Sequence, residues 1–114
     1  MHELGITENI ITIALEQAKG EKIRSLTLEI GELSAIAPES IQFCFDVCSQ
    51  GTMLEGATLE IIVIAGRGVC QDCGEQIPME LPFALCSRCG SRQIKITQGQ
   101  ELTLKTLEIE SICV

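Results

Sequence analysis

Two Cys-x2-Cys pairs, Cys70-Gln71-Asp72-Cys73 and Cys86-Ser87-Arg88-Cys89, constrain this chain more than any other feature. Two intervening residues let both sulfurs of a pair face one ion from a tight turn. Each pair is followed by a glycine, Gly74 and Gly90, which permits the left-handed backbone such a turn needs. Twelve residues separate the pairs, enough for a short out-and-back loop through Ile77-Pro78 and Leu81-Pro82. Four thiolates fill a tetrahedral shell and leave no open position, so the implied site is structural rather than catalytic. Two local disulfides, or iron in the same shell as in a rubredoxin-like electron carrier, are the competing readings. Such carriers usually wrap iron in aromatic rings, and Phe83 is the one aromatic residue of residues 66–97. The expectation is structural Zn2+ held by Cys70, Cys73, Cys86 and Cys89.

The rest of the chain reads as a small mixed fold. Ile10, Ile11, Ala14, Leu15 and Ala18 form one apolar stripe over residues 4–19, with Asn9, Thr12, Glu16 and Lys19 opposite, so this segment is a helix that Gly20 stops. Thr7 as its N-cap and an earlier start near Glu3 both fit. Leu26, Leu28 and Ile30 alternate with Ser25, Thr27 and Glu29, a half-buried strand, with Ile23 out of phase and placed in the entry turn. A second helix spans about 38–50, with Pro38 in its first turn and Ile41, Cys44, Phe45 and Cys48 on one face. A strand over 58–65 directs Leu59, Ile61 and Val63 to one side. A last strand covers 101–110, where a bulge near Lys105-Thr106 reconciles even Leu102 and Leu104 with odd Leu107 and Ile109. The predicted fold is therefore α+β: two helices on a three-stranded sheet, with an inserted zinc-ribbon module. Residues 1–65 and 98–114 form the α/β domain and residues 66–97 the module, with Gly66-Arg67-Gly68 and Gln98-Gly99-Gln100 as hinges. Strand three, set apart by the insert, could pair in its own subunit or a neighbour's, so a domain-swapped homodimer is accessible.

The formal net charge of −8 repels polyanions, and a chain without Trp or Tyr lacks the rings of a base-stacking platform. Nucleic acid and acidic membrane surfaces are thereby disfavoured as partners; a cationic protein patch or a metal cation fits better. No run reaches the ~20 apolar residues of a membrane span. Met-His-Glu-Leu lacks the basic and apolar regions of a signal peptide, so a cytoplasmic location is expected. Seven cysteines, four of them in paired spacing, agree with a reducing compartment. Cys44 and Cys48 read as buried small hydrophobes, and penultimate Cys113 has no assigned role.

His2 is the only histidine. A terminal histidine is usually exposed and idle, but this position is special. A bulky second residue protects the initiator methionine, so Met1 keeps a free α-amine. That amine, the deprotonated amide nitrogen of His2 and the His2 imidazole can close fused chelate rings around one ion. Glu3, through its amide nitrogen, or another donor can complete the plane. Four nitrogens in a plane suit Ni(II) or Cu(II), not zinc.

Met1-His2-Glu3 at the start, a short α/β region, and the two cysteine pairs together resemble the HypA/HybF family of nickel metallochaperones. The resemblance spans the whole chain in element order and length. It implies that His2 is the key nickel ligand, with Met1 and Glu3 beside it, and that the four paired cysteines hold structural zinc. It also implies Ni2+ as cargo for [NiFe] hydrogenase maturation, a HypB-like GTPase and the hydrogenase large subunit as partners, and in some relatives service to urease. No catalytic constellation is present in the sequence, so a non-enzymatic carrier is expected. The competing classes are a zinc-ribbon adaptor that binds only protein and the rubredoxin-like iron carrier.

Overall fold

The structure, a computed structural model, describes residues 2–110. Met1 and Cys113 lie outside the described residues, as does the side chain of His2. In chain order the described elements are α1 (His2–Ala18), β1 (Ile23–Gly31), α2 (Pro38–Cys48), β2 (Thr58–Ile64), β3 (Gly66–Cys70), β4 (Gln76–Met79), β5 (Ile94–Gln98) and β6 (Leu102–Ile109). They form two three-stranded sheets, ordered β2-β1-β6 and β4-β3-β5. Two helices with a three-stranded sheet and a cysteine-bearing insert agree with the fold read from the sequence. The chain clusters into two compact units: Met1–Leu28, Ile36–Ile62 and Thr103–Val114 in one, Glu29–Ala35 and Val63–Leu102 in the other.

In the first unit the apolar stripe of α1 is buried at Ile10, Ile11, Ala14 and Ala18, with Leu15 half-buried, while Asn9, Thr12, Glu16 and Lys19 are exposed. The helix begins at His2, so the earlier start holds and Thr7 is no cap. Thr7 lies buried inside α1, its hydroxyl donating to the Glu3 carbonyl one turn back at 2.7 Å. A buried threonine gains its partner that way without leaving the helix. Lys19 and Gly20 take positive φ, +53° and +86°, and end α1. Leu26 and Leu28 of β1 are buried as the alternation requires. Ile23 differs from expectation: it opens β1 rather than the preceding turn, fully buried, its amide donating to the Met53 carbonyl at 2.9 Å. Its strand hydrogen bond comes from a loop, which explains the broken alternation.

Pro38 starts α2, where its missing N–H is not needed, and the Ser49 amide closes the far end onto the Phe45 carbonyl at 2.9 Å. Ile41, Cys44 and Phe45 are buried, whereas Cys48 is only half-buried. Burial, then the charges of Glu8 and Cys44, push the Cys48 thiol up, so it stays protonated. In β6 the half-buried residues are Leu104, Leu107 and Ile109, a step of three followed by a step of two. This is the shift of apolar phase seen in the sequence, and Leu102 falls on the exposed side.

The second unit is built around Leu33, Ile77 and Met79, with Ala84, Ile94 and Ile96 packed against them. Antiparallel β4 and β5 flank β3. Gly66 and Gly68, expected to form a hinge, instead lie within β3. A Cβ on Gly66 would sit 2.1 Å from the Met79 carbonyl oxygen, and one on Gly68 2.6 Å from the Met79 sulfur. These glycines therefore serve close approach of strands rather than bending. Residues 31–33 are held on both sides: the Gly31 and Leu33 amides donate to the Glu101 and Gly99 carbonyls, and the Glu32 amide to the Ile64 carbonyl. Val63, expected on the buried side of β2, is exposed, while Ile64 is half-buried.

Two phenylalanines of α2 provide a direct check on this packing. Phe45 is 1% exposed and Phe43 69% exposed. Phe45→Ala should cost about 3–5 kcal/mol, the usual price of emptying a core aromatic site. Phe43→Ala should cost within about 0.5 kcal/mol. Chemical denaturation followed by the helical circular dichroism signal measures both, and equal costs would contradict the assigned orientation of α2.

Candidate metal centre

The two cysteine turns are built alike. The Gly74 amide donates to the Cys70 carbonyl and the Gly90 amide to the Cys86 carbonyl, each at 2.8 Å. The Cys70 amide donates to the Glu75 carbonyl at 2.9 Å, and the Cys86 amide to the Ser91 carbonyl at 2.8 Å. Gly74 and Gly90 have φ of +78° and +75°, where a side chain would be strained, so the glycine after each pair is required by the turn itself.

Side chains then tie each turn to the other. Arg88, in the third position of the second turn, pairs with Glu75, just after the first turn, at 3.2 Å. Asp72, in the third position of the first turn, accepts a hydrogen bond from Ser91, just after the second. The Ser91 hydroxyl oxygen also accepts from the Gln93 amide at 3.0 Å. These links relate the turns by an approximate two-fold exchange. The ion pair is exposed and contributes under about 1 kcal/mol; its effect is to set register. The sequence held a signal for it, since Arg88–Glu75 and Asp72–Ser91 each join the same two positions of the repeat.

The result is a tight group of sulfurs. The ligand atoms of Cys70, Cys73, Cys86 and Cys89 all lie within 4.8 Å of one another. The Cys70 and Cys89 sulfurs are 3.5 Å apart and those of Cys73 and Cys86 3.6 Å. These are not disulfide distances. Zinc–sulfur bonds of about 2.3 Å place the corners of a tetrahedron roughly 3.8 Å apart, so the donor set fits a four-thiolate zinc ion. The Arg88 and Cys89 amides point at the Cys86 sulfur, at 3.4 and 3.5 Å, and stabilise negative charge there. Phe83, the aromatic residue of this region, is turned out to solvent.

Four thiols this close cannot all behave alike. Burial works to raise Cys70, but the amides of Cys73 and Asp72 and the thiols of Cys89 and Cys73 outweigh it and hold Cys70 at about 6. Amides of Cys89 and Arg88 likewise lower Cys86 against the opposing effect of burial. The Ser91 amide works to lower Cys89, yet the bond to Cys70, burial and the other two thiols push it up to about 12. Cys73 is also raised: burial and the bonds to Cys86 and Cys70 overcome the lowering by the Glu75 amide. Without metal Cys70 is therefore a thiolate at neutral pH, accepting from its protonated neighbour Cys89.

The sequence-predicted zinc ligands are thus brought together. Among the described residues they are the one group of three or more His, Cys, Asp or Glu side chains close enough to share an ion. Cys44 and Cys48 do not join such a group. Met1 and the His2 side chain lie outside the described residues, and Glu3 is placed in the first turn of α1. No helix among the described residues is long and apolar enough to cross a membrane.

Fold and site together define a small α+β protein with a four-cysteine zinc-ribbon lobe. A family described as hydrogenase/urease nickel incorporation, metallochaperone, hypA, matches residues 1–109, and the chain belongs to that family. A hydrogenase maturation factor HypA of Rippkaea orientalis is 65% identical over 114 residues, covering all of both chains. The solution structure of the Ni metallochaperone HypA from Helicobacter pylori is similar with a TM-score of 0.65 and 26% identity, covering 94% of this chain and 96% of that one. A second solution structure of a HypA protein gives a TM-score of 0.70 and 30% identity, covering 96% and 97%. The chain is accordingly a nickel-incorporation metallochaperone of hydrogenase maturation and not an enzyme. That membership favours the carrier over the adaptor and the iron-protein readings.

A zinc ion on these sulfurs has two measurable consequences. Purified protein should contain one zinc per chain and little iron, and Cys73→Ser should release the zinc and collapse the amide resonances of residues 66–97 while those of α1 and α2 persist. Dispersed resonances in the metal-free module would contradict this. Zinc must also expel the protons of Cys73 and Cys89, so its affinity rises with pH, by at least about a hundredfold per unit near neutrality. Below about 6 Cys70 takes up a proton as well and the loss steepens. Competition with a chelator across pH measures the slope, and a flat profile would contradict the assignment.

Proposed function

We propose that the chain keeps two metals on two chemically different sets of atoms. Cys70, Cys73, Cys86 and Cys89 hold zinc permanently as a structural element. Ni(II), the cargo, is taken at the N-terminus by the Met1 α-amine, the His2 amide and imidazole, and Glu3. The supporting observation is that α1 begins at His2 and Thr7 does not cap it. The first amides of a helix have no carbonyl four residues back, so they can lose protons to a metal without breaking the helical ladder. The positive end of the helix dipole favours the anionic nitrogens this produces.

In this reading residues 1–65 and 98–114 form the nickel-handling domain and residues 66–97 the zinc module. The partners are a HypB-like GTPase and the large subunit of a [NiFe] hydrogenase, met in the cytoplasm. A site at the chain end suits transfer, because an acceptor can replace its ligands one at a time. A homodimer exchanging β6 is also accessible, since the strand makes the same contacts in either copy. Sizing across a wide concentration range should reveal it, and a monomer throughout would count against it.

The nickel assignment is tested by extending the chain. An N-terminal extension turns the Met1 nitrogen from an amine of pKa about 7.7–8.0 into an amide that holds its proton far more tightly. His2→Ala should abolish nickel binding, and a short uncleaved N-terminal tag should nearly do so. A histidine-free C-terminal tag should change little. Isothermal titration with Ni(II) compares the four proteins, and the bound ion should be diamagnetic and square-planar. Full affinity in the N-terminally tagged protein would overturn the chelate.

A further inference from the structure

The zinc-bearing unit exposes more apolar surface than its own packing explains. Along residues 81–85 only Ala84 is drawn inward. Ala84 packs inward against the Leu33, Ile77 and Met79 cluster. Leu81, Phe83 and Leu85 lie outward, 56%, 72% and 59% exposed. Beside them opens a cleft of about 340 Å3, lined by Pro82, Phe83, Ala84, Leu85, Arg92 and Ile94. Arg92 is the one charged residue of that lining. Neighbouring Arg88 is paired with Glu75, but the Arg92 guanidinium has no hydrogen bond or ion pair among the described residues.

Each feature narrows the occupant. An unpaired guanidinium with no acidic residue in the lining calls for an anion, and Arg binds carboxylate through two parallel hydrogen bonds. The remaining lining is apolar, so the anion must come attached to an apolar group. A chain of net charge −8 repels nucleic acid and anionic lipid, which carry charge at high density. A peptide that carries one carboxylate beside an apolar side chain meets both requirements. The surface is also held in place: Leu85 precedes Cys86, whose amide is bonded to the Ser91 carbonyl, and Ala84 anchors the loop from below. Surfaces ordered in advance lose less entropy on binding.

We infer that this cleft docks an extended segment of a partner protein, which lays an apolar side chain against Phe83 and Leu85 and sets a carboxylate on Arg92. The site is independent of where nickel binds. Aromatic and arginine side chains are the residue types on which binding energy concentrates, so Phe83 and Arg92 carry the contact.

The test uses zinc-loaded protein on a positional-scanning array of hexapeptides. Bound peptides should be enriched in Leu, Ile or Phe at one position and Asp or Glu within two residues of it. Phe83→Ala should lower the bound signal by at least about fivefold, as expected for a residue on which binding energy concentrates. Arg92→Glu should turn the acidic preference into one for Lys or Arg, while Arg92→Lys should retain it. Both positions are exposed, and retention of one zinc per chain shows that each variant is folded. An array without sequence preference, or an acidic preference unchanged in Arg92→Glu, would overturn the inference. So would a dimer in solution that Phe83→Ala dissociates, because the occupant would then be a second copy of this chain.

Discussion

Bringing four thiols to within 4.8 Å of one another sets conditions that the rest of the second unit must meet. Two of them share protons with the other two, and the balance is resolved either by protonation or by a dication. The backbone is arranged for the latter. Glycines at positive φ close both turns, amides face the sulfurs, and Arg88–Glu75 with Ser91–Asp72 fix how one turn meets the other. The apolar cluster around Leu33, Ile77 and Met79 is small. Metal binding in a unit of this kind supplies the folding free energy that such a cluster lacks, on the order of 10 kcal/mol in zinc-finger peptides.

Zinc and nickel ask for different donor sets. A closed four-sulfur tetrahedron suits zinc and leaves no position from which an ion could be handed on. A nickel carrier needs the opposite: a planar nitrogen set, open to an acceptor, whose ligands can be replaced in turn. The nickel site proposed at the start of α1 would meet that need, and the closed cysteine cluster does not. On that proposal cargo and structural metal are kept apart within one small protein, and the inferred docking cleft of the zinc-bearing unit would add a third surface.

Much of this was legible in the residues. The stripe of α1, the alternation of β1 and the Cys-x2-Cys-Gly repeat each encode local geometry directly, and each was found where its period placed it. The misreadings fell where a tertiary contact overrode a local signal. Ile23 looked out of phase because its hydrogen bond is to a loop carbonyl at Met53. Gly66 and Gly68 looked like a hinge, although glycine in a strand equally permits close packing, here beneath Met79. Strands β3 and β4 are hidden from periodicity, being five and four residues long and interrupted by glycine and proline, while the Ile94–Ile96 alternation of β5 is too short to stand out. Leu33 gave no hint that it would join Ile77 and Met79, since nothing in its own segment repeats.

The central claim is that zinc and nickel occupy separate sites on one chain. Metal analysis of untagged protein, before and after exposure to excess Ni(II) and removal of the free ion, tests it most directly. Separate sites give one zinc per chain in both samples and one nickel gained in the second. Nickel that enters only as zinc leaves would mean that both ions compete for the four cysteines, and would contradict the division of labour described above.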